Sequence, residues 1–196
     1  MFFLYQILIF ITILFSPLIL LVRFLKNKED KKRFIEKFSI IFKKKNKQNL
    51  VWIHAASVGE VMSVVPLIDE LEKDEKIEKI LLTTSTLSSS KIFENLKFKK
   101  TFHQFFPIDF FFFTSIFIKH WRPKIAIFID SEIWPCMFTE IKKNKIPLVL
   151  LNARITERSF KKWQILKKFS SIIFGKIDMA YPSNLETMNF LKKFKV

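Results

Sequence analysis

Residues 53–60 read IHAASVGE and bring a hydroxyl, a glycine and a carboxylate together at Ser57, Gly59 and Glu60. A carboxylate held beside a ligand hydroxyl can act as a general base, taking the proton as the oxygen attacks. The same residues have a purely local reading. Ser57 followed three residues later by Glu60, ahead of Val61, Met62, Val64, Val65, Leu67 and Ile68, is a capping box. In it, Ser57 Oγ accepts the backbone N–H near Glu60, and the Glu60 carboxylate reaches back to the Ser57 N–H. Residues 183–186 repeat the Ser-x-x-Glu pattern before another apolar run, with nothing around them that suggests a site. The pattern alone therefore carries no catalytic meaning. What sets the first copy apart is its surroundings: His54 close by, and Gly59, one of only two glycines in the chain, where a ligand could approach the backbone closely.

A second carboxylate, Glu132, stands in DSEIWP, two residues past an apolar run that ends at Asp130. Asn152 and Arg154 follow the run LVLL in the same way. Arg154 either binds an anion or pairs with Glu157, and both readings stand. His54 reads as a hydrogen-bonded strand-end residue, Asp130 as a loop former, and Trp134 and Pro135 as shaping the turn after Glu132. Cys136 reads as core filler.

The elements that must hold these residues follow from hydrophobic patterning. LVWIHAA, KILLTTS, part of TFHQFFPID, KIAIFID, LVLLN and MAY read as six short strands. Between them, helices are predicted over residues 58–71, 88–96, 110–120, 135–144, 158–174 and 183–194. Strands separated by helices of this length predict a parallel sheet covered on both faces, in a Rossmann-like α/β domain over residues 50–196. No G-x-G-x-x-G phosphate loop is present, which argues against a nicotinamide site. In such sheets ligands bind beyond the carboxyl ends of the strands, where Glu60, Glu132, Asn152 and Arg154 all fall.

Residues 2–22 carry no charge and would reach on the order of 30 Å as one helix, enough to cross a bilayer core. They lack the basic leader and small-residue cleavage site of a signal peptide. Arg23, Lys26, Lys28, Lys31, Lys32 and Arg33 follow at once, so the positive-inside rule predicts a single-pass anchor with the domain on the cytoplasmic face. Residues 29–42 put Phe34, Ile35, Phe38, Ile41 and Phe42 on one helical face. That amphipathic helix lies on headgroups or packs on the domain, and either fits. Residues 43–49 read as a polar linker, so that residues 23–49 form a basic segment between anchor and domain.

A chain of 196 residues suits one full domain, and 34 Lys and Arg against 18 Asp and Glu give a formal charge of +16. That favours anionic partners. A nucleic-acid reading rests on the charge alone, and the anchor argues against it. Cys136 is the single cysteine, and His54, His103 and His120 are scattered, so neither a disulfide nor a metal is expected.

Together HAASVGE, TTST at the end of the second strand, DSEIWP and LVLLNARITERS resemble, in order and spacing, the Kdo transferases. These enzymes transfer 3-deoxy-D-manno-octulosonic acid (Kdo) from CMP-Kdo to the lipid A precursor in lipopolysaccharide assembly. The resemblance spans nearly the whole chain and implies the N-terminal, acceptor-binding domain of a GT-B glycosyltransferase. By motif position it implies that Glu60 is the general base and Glu132 a transition-state stabiliser, with Ser57, Gly59 and Arg154 at the substrate. It also implies inner-membrane localisation, no cofactor beyond the CMP-Kdo donor, and a C-terminal donor-binding domain absent from these residues. A split enzyme, a truncated product and a non-catalytic protein binding lipid A or another anionic lipid all remain open on the sequence.

Overall fold

The computed structural model describes residues 1–40 and 49–196. Its centre is a six-stranded sheet formed by β1 (Leu50–His54), β2 (Lys79–Thr84), β3 (Thr101–Phe105), β4 (Ile125–Ile129), β5 (Leu148–Ala153) and β6 (Met179–Pro182). The strand order is β3-β2-β1-β4-β5-β6, and every neighbouring pair is parallel. All six strands expected from the sequence are there. Parallel strands need a crossover after each one, and α3 (Val58–Lys73), α4 (Leu87–Asn95), α5 (Phe111–Trp121), α6 (Pro135–Lys143), the pair α7 (Glu157–Ile165) and α8 (Lys167–Phe174), and α9 (Leu185–Lys193) follow the strands in turn.

Alternation along the strands divides the core in two. Val51, Ile53, Ile80 and Leu82 point to one face and pack with Val61, Val64 and Ile68 of α3. Leu50, Trp52, Leu81, Ala126, Phe128, Leu148 and Leu150 point to the other, against Phe117 and Ile118 of α5, Met137, Phe138 and Ile141 of α6, and Ile173 and Phe174 of α8. Because both faces are buried there, the central strands β1, β4 and β5 and their neighbour β2 read as largely apolar runs. The order of strands reverses between β1 and β4, so the crevice of this sheet opens at their carboxyl ends.

Three expectations need correction. The apolar stretch expected as one helix over residues 2–22 is two helices, α1 (Phe2–Leu14) and α2 (Ser16–Leu25), bent by 55° at Phe15. Pro17 is the reason: it has no N–H for the helix ladder, and its ring would meet the carbonyl of residue 13. No single helix among the described residues is long and apolar enough to cross a membrane; the bent pair passes on length and composition. Second, the helix expected over residues 29–42 is a single 3₁₀ helix, Phe34–Phe38, stopped by Ser39 in the left-handed conformation (φ 54°). It packs on the domain. Glu36 accepts from the Phe105 N–H at 2.9 Å, and Arg33 donates to the His103 carbonyl at 3.1 Å. Ile41, Phe42 and most of the expected linker lie outside the described residues. Third, the helix expected over residues 158–174 breaks at Leu166, where the Ser170 hydroxyl donates to the Trp163 and Leu166 carbonyls and bends the chain.

Candidate active site

Helix α3 begins where β1 ends, and its first turn is a capping box with a twist. Ser57 is the N-cap, its Oγ 3.4 Å from the Glu60 N–H. The Glu60 carboxylate does not return to the Ser57 N–H as expected. Oε2 accepts from the Ala56 N–H at 2.8 Å, and Oε1 accepts from the Ser57 hydroxyl at 2.7 Å. Both carboxylate oxygens are thus held, and the group is half-buried against the end of β1 rather than laid over solvent. A helix N-terminus by itself favours an ionised carboxylate at Glu60. The net shift runs the other way. Burial pushes the carboxyl up and the charge of Glu132 adds to it, against the Ser57 hydroxyl, the Ala56 N–H and His54, so Glu60 sits above the usual glutamate range.

Glu132 comes from the loop after β4, the strand hydrogen-bonded to β1. Its Oε2 accepts from the Trp134 indole N–H at 2.7 Å and lies 3.4 Å from His54 Nε2. Burial would raise this carboxyl too, but His54 and Trp134 outweigh it and hold Glu132 below the usual range. Two glutamates therefore share one crevice with their acidities moved apart. That separation is how one site provides a proton acceptor and a standing negative charge.

His54 connects them. It is fully buried at the last position of β1, stacked on Phe106 with ring centroids 3.9 Å apart. Its Nδ1 lies 3.1 Å from the Thr83 carbonyl and 3.0 Å from the Thr83 hydroxyl. Nε2 faces the Glu132 carboxylate. The sequence reading of His54 as a strand-end residue holds for Nδ1 and misses Nε2. No local pattern could have shown it, because Glu132 arrives from 78 positions later in the chain.

The other expected residues are placed as follows. Gly59 is exposed, and a methyl group added there would meet nothing within 4 Å, so the fold itself does not require glycine. Arg154 is exposed beyond β5. Glu157 pairs with Lys161 at 2.8 Å instead, and among the described residues the Arg154 guanidinium has no ion-pair partner. Asp130 (φ 61°) and Asn152 (φ 54°) both hold the left-handed conformation, which Asp and Asn tolerate better than most residues. The Asp130 N–H donates to the Leu151 carbonyl at 3.0 Å, locking the ends of β4 and β5 together. Asp130 is a loop former, as expected. Cys136 is buried, and burial pushes its thiol up.

A parallel α/β sheet with paired acids at its topological switch point is the architecture of a crevice-binding enzyme domain. A family model described as 3-deoxy-D-manno-octulosonic-acid transferase (kdotransferase) matches residues 32–196, and the chain belongs to this family. A 3-deoxy-D-manno-octulosonic acid transferase of Rickettsia bellii is 36% identical over 201 residues, covering 92% of this chain and 48% of that protein. One of Rickettsia typhi is 44% identical over 147 residues (74% of this chain, 32% of the relative). A probable mitochondrial one of Arabidopsis thaliana is 34% identical over 145 residues (72% and 32%). The chain spans about half the length of the first of these and about a third of the others.

Proposed function

We propose that this chain is the acceptor-binding part of an inverting Kdo transferase of GT-B architecture, acting in lipopolysaccharide assembly. The observation that carries this reading is the juxtaposition of Glu60 and Glu132, held by different strands and shifted in opposite directions. Glu60 is the general base: it takes the proton of an acceptor sugar hydroxyl as that oxygen bonds to the anomeric carbon of Kdo. The bond from that carbon to the CMP oxygen breaks with inversion, and CMP leaves. A carboxyl raised by burial is a stronger base when ionised than an ordinary glutamate. Glu132, kept ionised by His54 and Trp134, stabilises positive charge developing on the sugar ring. Ser57, Gly59 and Arg154 line the acceptor side, Arg154 with an exposed guanidinium suited to a phosphate or carboxylate.

The acceptor is the lipid A precursor (lipid IVA), and the donor CMP-Kdo needs a further C-terminal domain or a partner chain. Residues 50–196 form the acceptor-binding domain. The α1–α2 pair embeds in the inner membrane on its cytoplasmic side, supported by the exposed Phe3, Leu8, Ile11, Leu14, Phe15 and Leu18 and by the lysines that follow.

The test is Glu60→Gln, made in the protein together with its donor-binding part and assayed with labelled donor and lipid acceptor. Transfer is expected to be lost while lipid binding persists. Lipid binding with no transfer in either form would instead establish a non-catalytic protein binding lipid A or another anionic lipid.

A further inference from the structure

Outside the crevice, one buried carboxylate accepts three hydrogen bonds that the proposed chemistry does not use. Asp109 follows β3 and is 2% exposed. Its Oδ1 accepts from the Met137 N–H at 2.7 Å, and its Oδ2 accepts from the Cys136 N–H at 3.0 Å and from the Tyr5 hydroxyl at 2.7 Å. The two amides belong to the first turn of α6, where N–H groups have no partner within the helix. Such a helix is normally capped by the side chain of its own N-cap residue. Here the N-cap residue is Trp134, whose side chain makes no cap hydrogen bond. Its indole N–H is committed to Glu132. One position cannot both hold Glu132 and cap the helix, so the cap comes from Asp109, more than twenty residues earlier.

The third donor, Tyr5, comes from α1. That helix lies on the domain through Phe2 and Tyr5, each with its ring 6.4 Å from that of Phe169, and through Phe10 against Phe110. Its other side exposes Phe3, Leu4, Leu8 and Ile11. One carboxylate therefore touches both the apolar N-terminal helix and the helix whose first residues carry the Glu132 partner. A buried carboxylate needs its donors. Without Tyr5 its ionised form loses compensation, and its grip on the α6 amides weakens.

We propose that Asp109 is a positioning residue that makes the geometry of Trp134 and Glu132 depend on the docking of α1. Departure of α1 from the domain would release the start of α6 and with it the Trp134–Glu132 contact. The consequence for transfer rests on the catalytic reading of Glu132, but the mechanical link does not.

The experiment uses the full chain in phosphatidylglycerol-containing nanodiscs, with ¹⁵N-labelled tryptophan and backbone hydrogen exchange, comparing the wild type with Tyr5→Phe. The Trp134 indole resonance is expected to shift, and the Cys136 and Met137 amides to exchange about tenfold faster or more, the size expected for losing a hydrogen bond to a charged group. The Trp52 and Trp121 indoles, bonded to Thr83 and Gln104, are the internal controls and stay in place. Asp109→Asn should give the same signature more strongly; if it fails to fold, Tyr5→Phe decides alone. An unmoved Trp134 indole with unchanged exchange at residues 136 and 137 overturns the proposal. So does a uniform shift of all the indoles, which would mean general loosening. None of these readouts needs transfer, so a failure of the catalytic reading leaves this test standing.

Discussion

Ser57–Glu60 and Ser183–Glu186 have the same spacing, and each precedes a helix with an apolar face. In the first, Ser57 is the N-cap, and Glu60 folds back to hold the Ala56 N–H and the Ser57 hydroxyl, half-buried beside His54 and Glu132. In the second, Ser183 is not the cap at all. Its N–H donates to the Ala153 carbonyl as β6 ends, and Asn184 caps α9, its Oδ1 accepting from the Thr187 N–H at 2.7 Å. The Glu186 side chain is left exposed, and among the described residues its carboxylate has no hydrogen bond or ion pair. The difference lies in the strand beneath. The first pattern leaves β1, at the switch point of the sheet, where a neighbouring strand brings a second carboxylate. The second leaves β6, an edge strand with a neighbour on one side only.

The sharpest way to break this comparison is to neutralise both glutamates in the protein with its donor-binding part. Glu60→Gln should lower the transfer rate by about 10²- to 10⁴-fold, the usual worth of general-base assistance. Glu186→Gln should leave it unchanged. The acid limb of the rate profile should fall above the pH at which an ordinary glutamate titrates, because Glu60 must lose its proton to act and burial has raised it. A limb at ordinary glutamate pH would return Glu60 to the role of a cap.

Stability offers the next largest effect. The Asp109 carboxyl is raised from 3.8 to about 6, chiefly by burial and against the donors Tyr5, Cys136 and Met137. Its titratable surroundings are Tyr5 and Cys136, with Glu140 further along α6. Since the folded state holds this proton more tightly than the unfolded chain, its contribution is fully present below about pH 4 and is lost as pH rises through about 6. The loss amounts to about 3 kcal/mol. Chemical denaturation across that range should show a flatter pH dependence in Asp109→Asn than in the wild type.

Smaller effects separate the two caps themselves. Ser57→Ala and Asn184→Ala should each cost about 1 kcal/mol in a denaturation midpoint, as expected for losing an N-cap. Ser183→Ala should fall within about 0.5 kcal/mol of the wild type. A cost at Ser183 equal to that at Asn184 would mean that the sequence pattern, not the observed hydrogen bond, describes the second cap. Gly59→Ala should leave stability unchanged or slightly improved, since nothing in the fold crowds that position. A fall in acceptor affinity in the same variant would place the ligand there.

Strands β1, β2, β4 and β5 were legible because each is largely buried on both faces, so that most of its positions are apolar. Helix continuity was not. The stretch over residues 158–174 has helical periodicity throughout, and its break depends on a serine hydroxyl reaching back to two carbonyls. Residues 29–42 show an amphipathic pattern, yet their described part forms only the short 3₁₀ helix Phe34–Phe38, with Glu36 and Arg33 hydrogen-bonded to β3. At the site, Glu60 and Glu132 were each visible as an acid after a strand. That His54 and Trp134 would hold one of them, and that Tyr5 would reach Asp109, had no local signature.

The sequence by itself determined the order of strands and helices and the positions of the acids at strand ends. Both follow from interactions between residues a few positions apart. Only the tertiary structure decided which strand lies beside which, and therefore which charges meet. Bringing β4 against β1 set Glu132 beside His54 and within reach of Glu60's charge, and the surrounding burial moved the two acids apart in strength. Proton affinity depends on solvent exclusion and on neighbouring charge, and neither exists until distant segments are packed together.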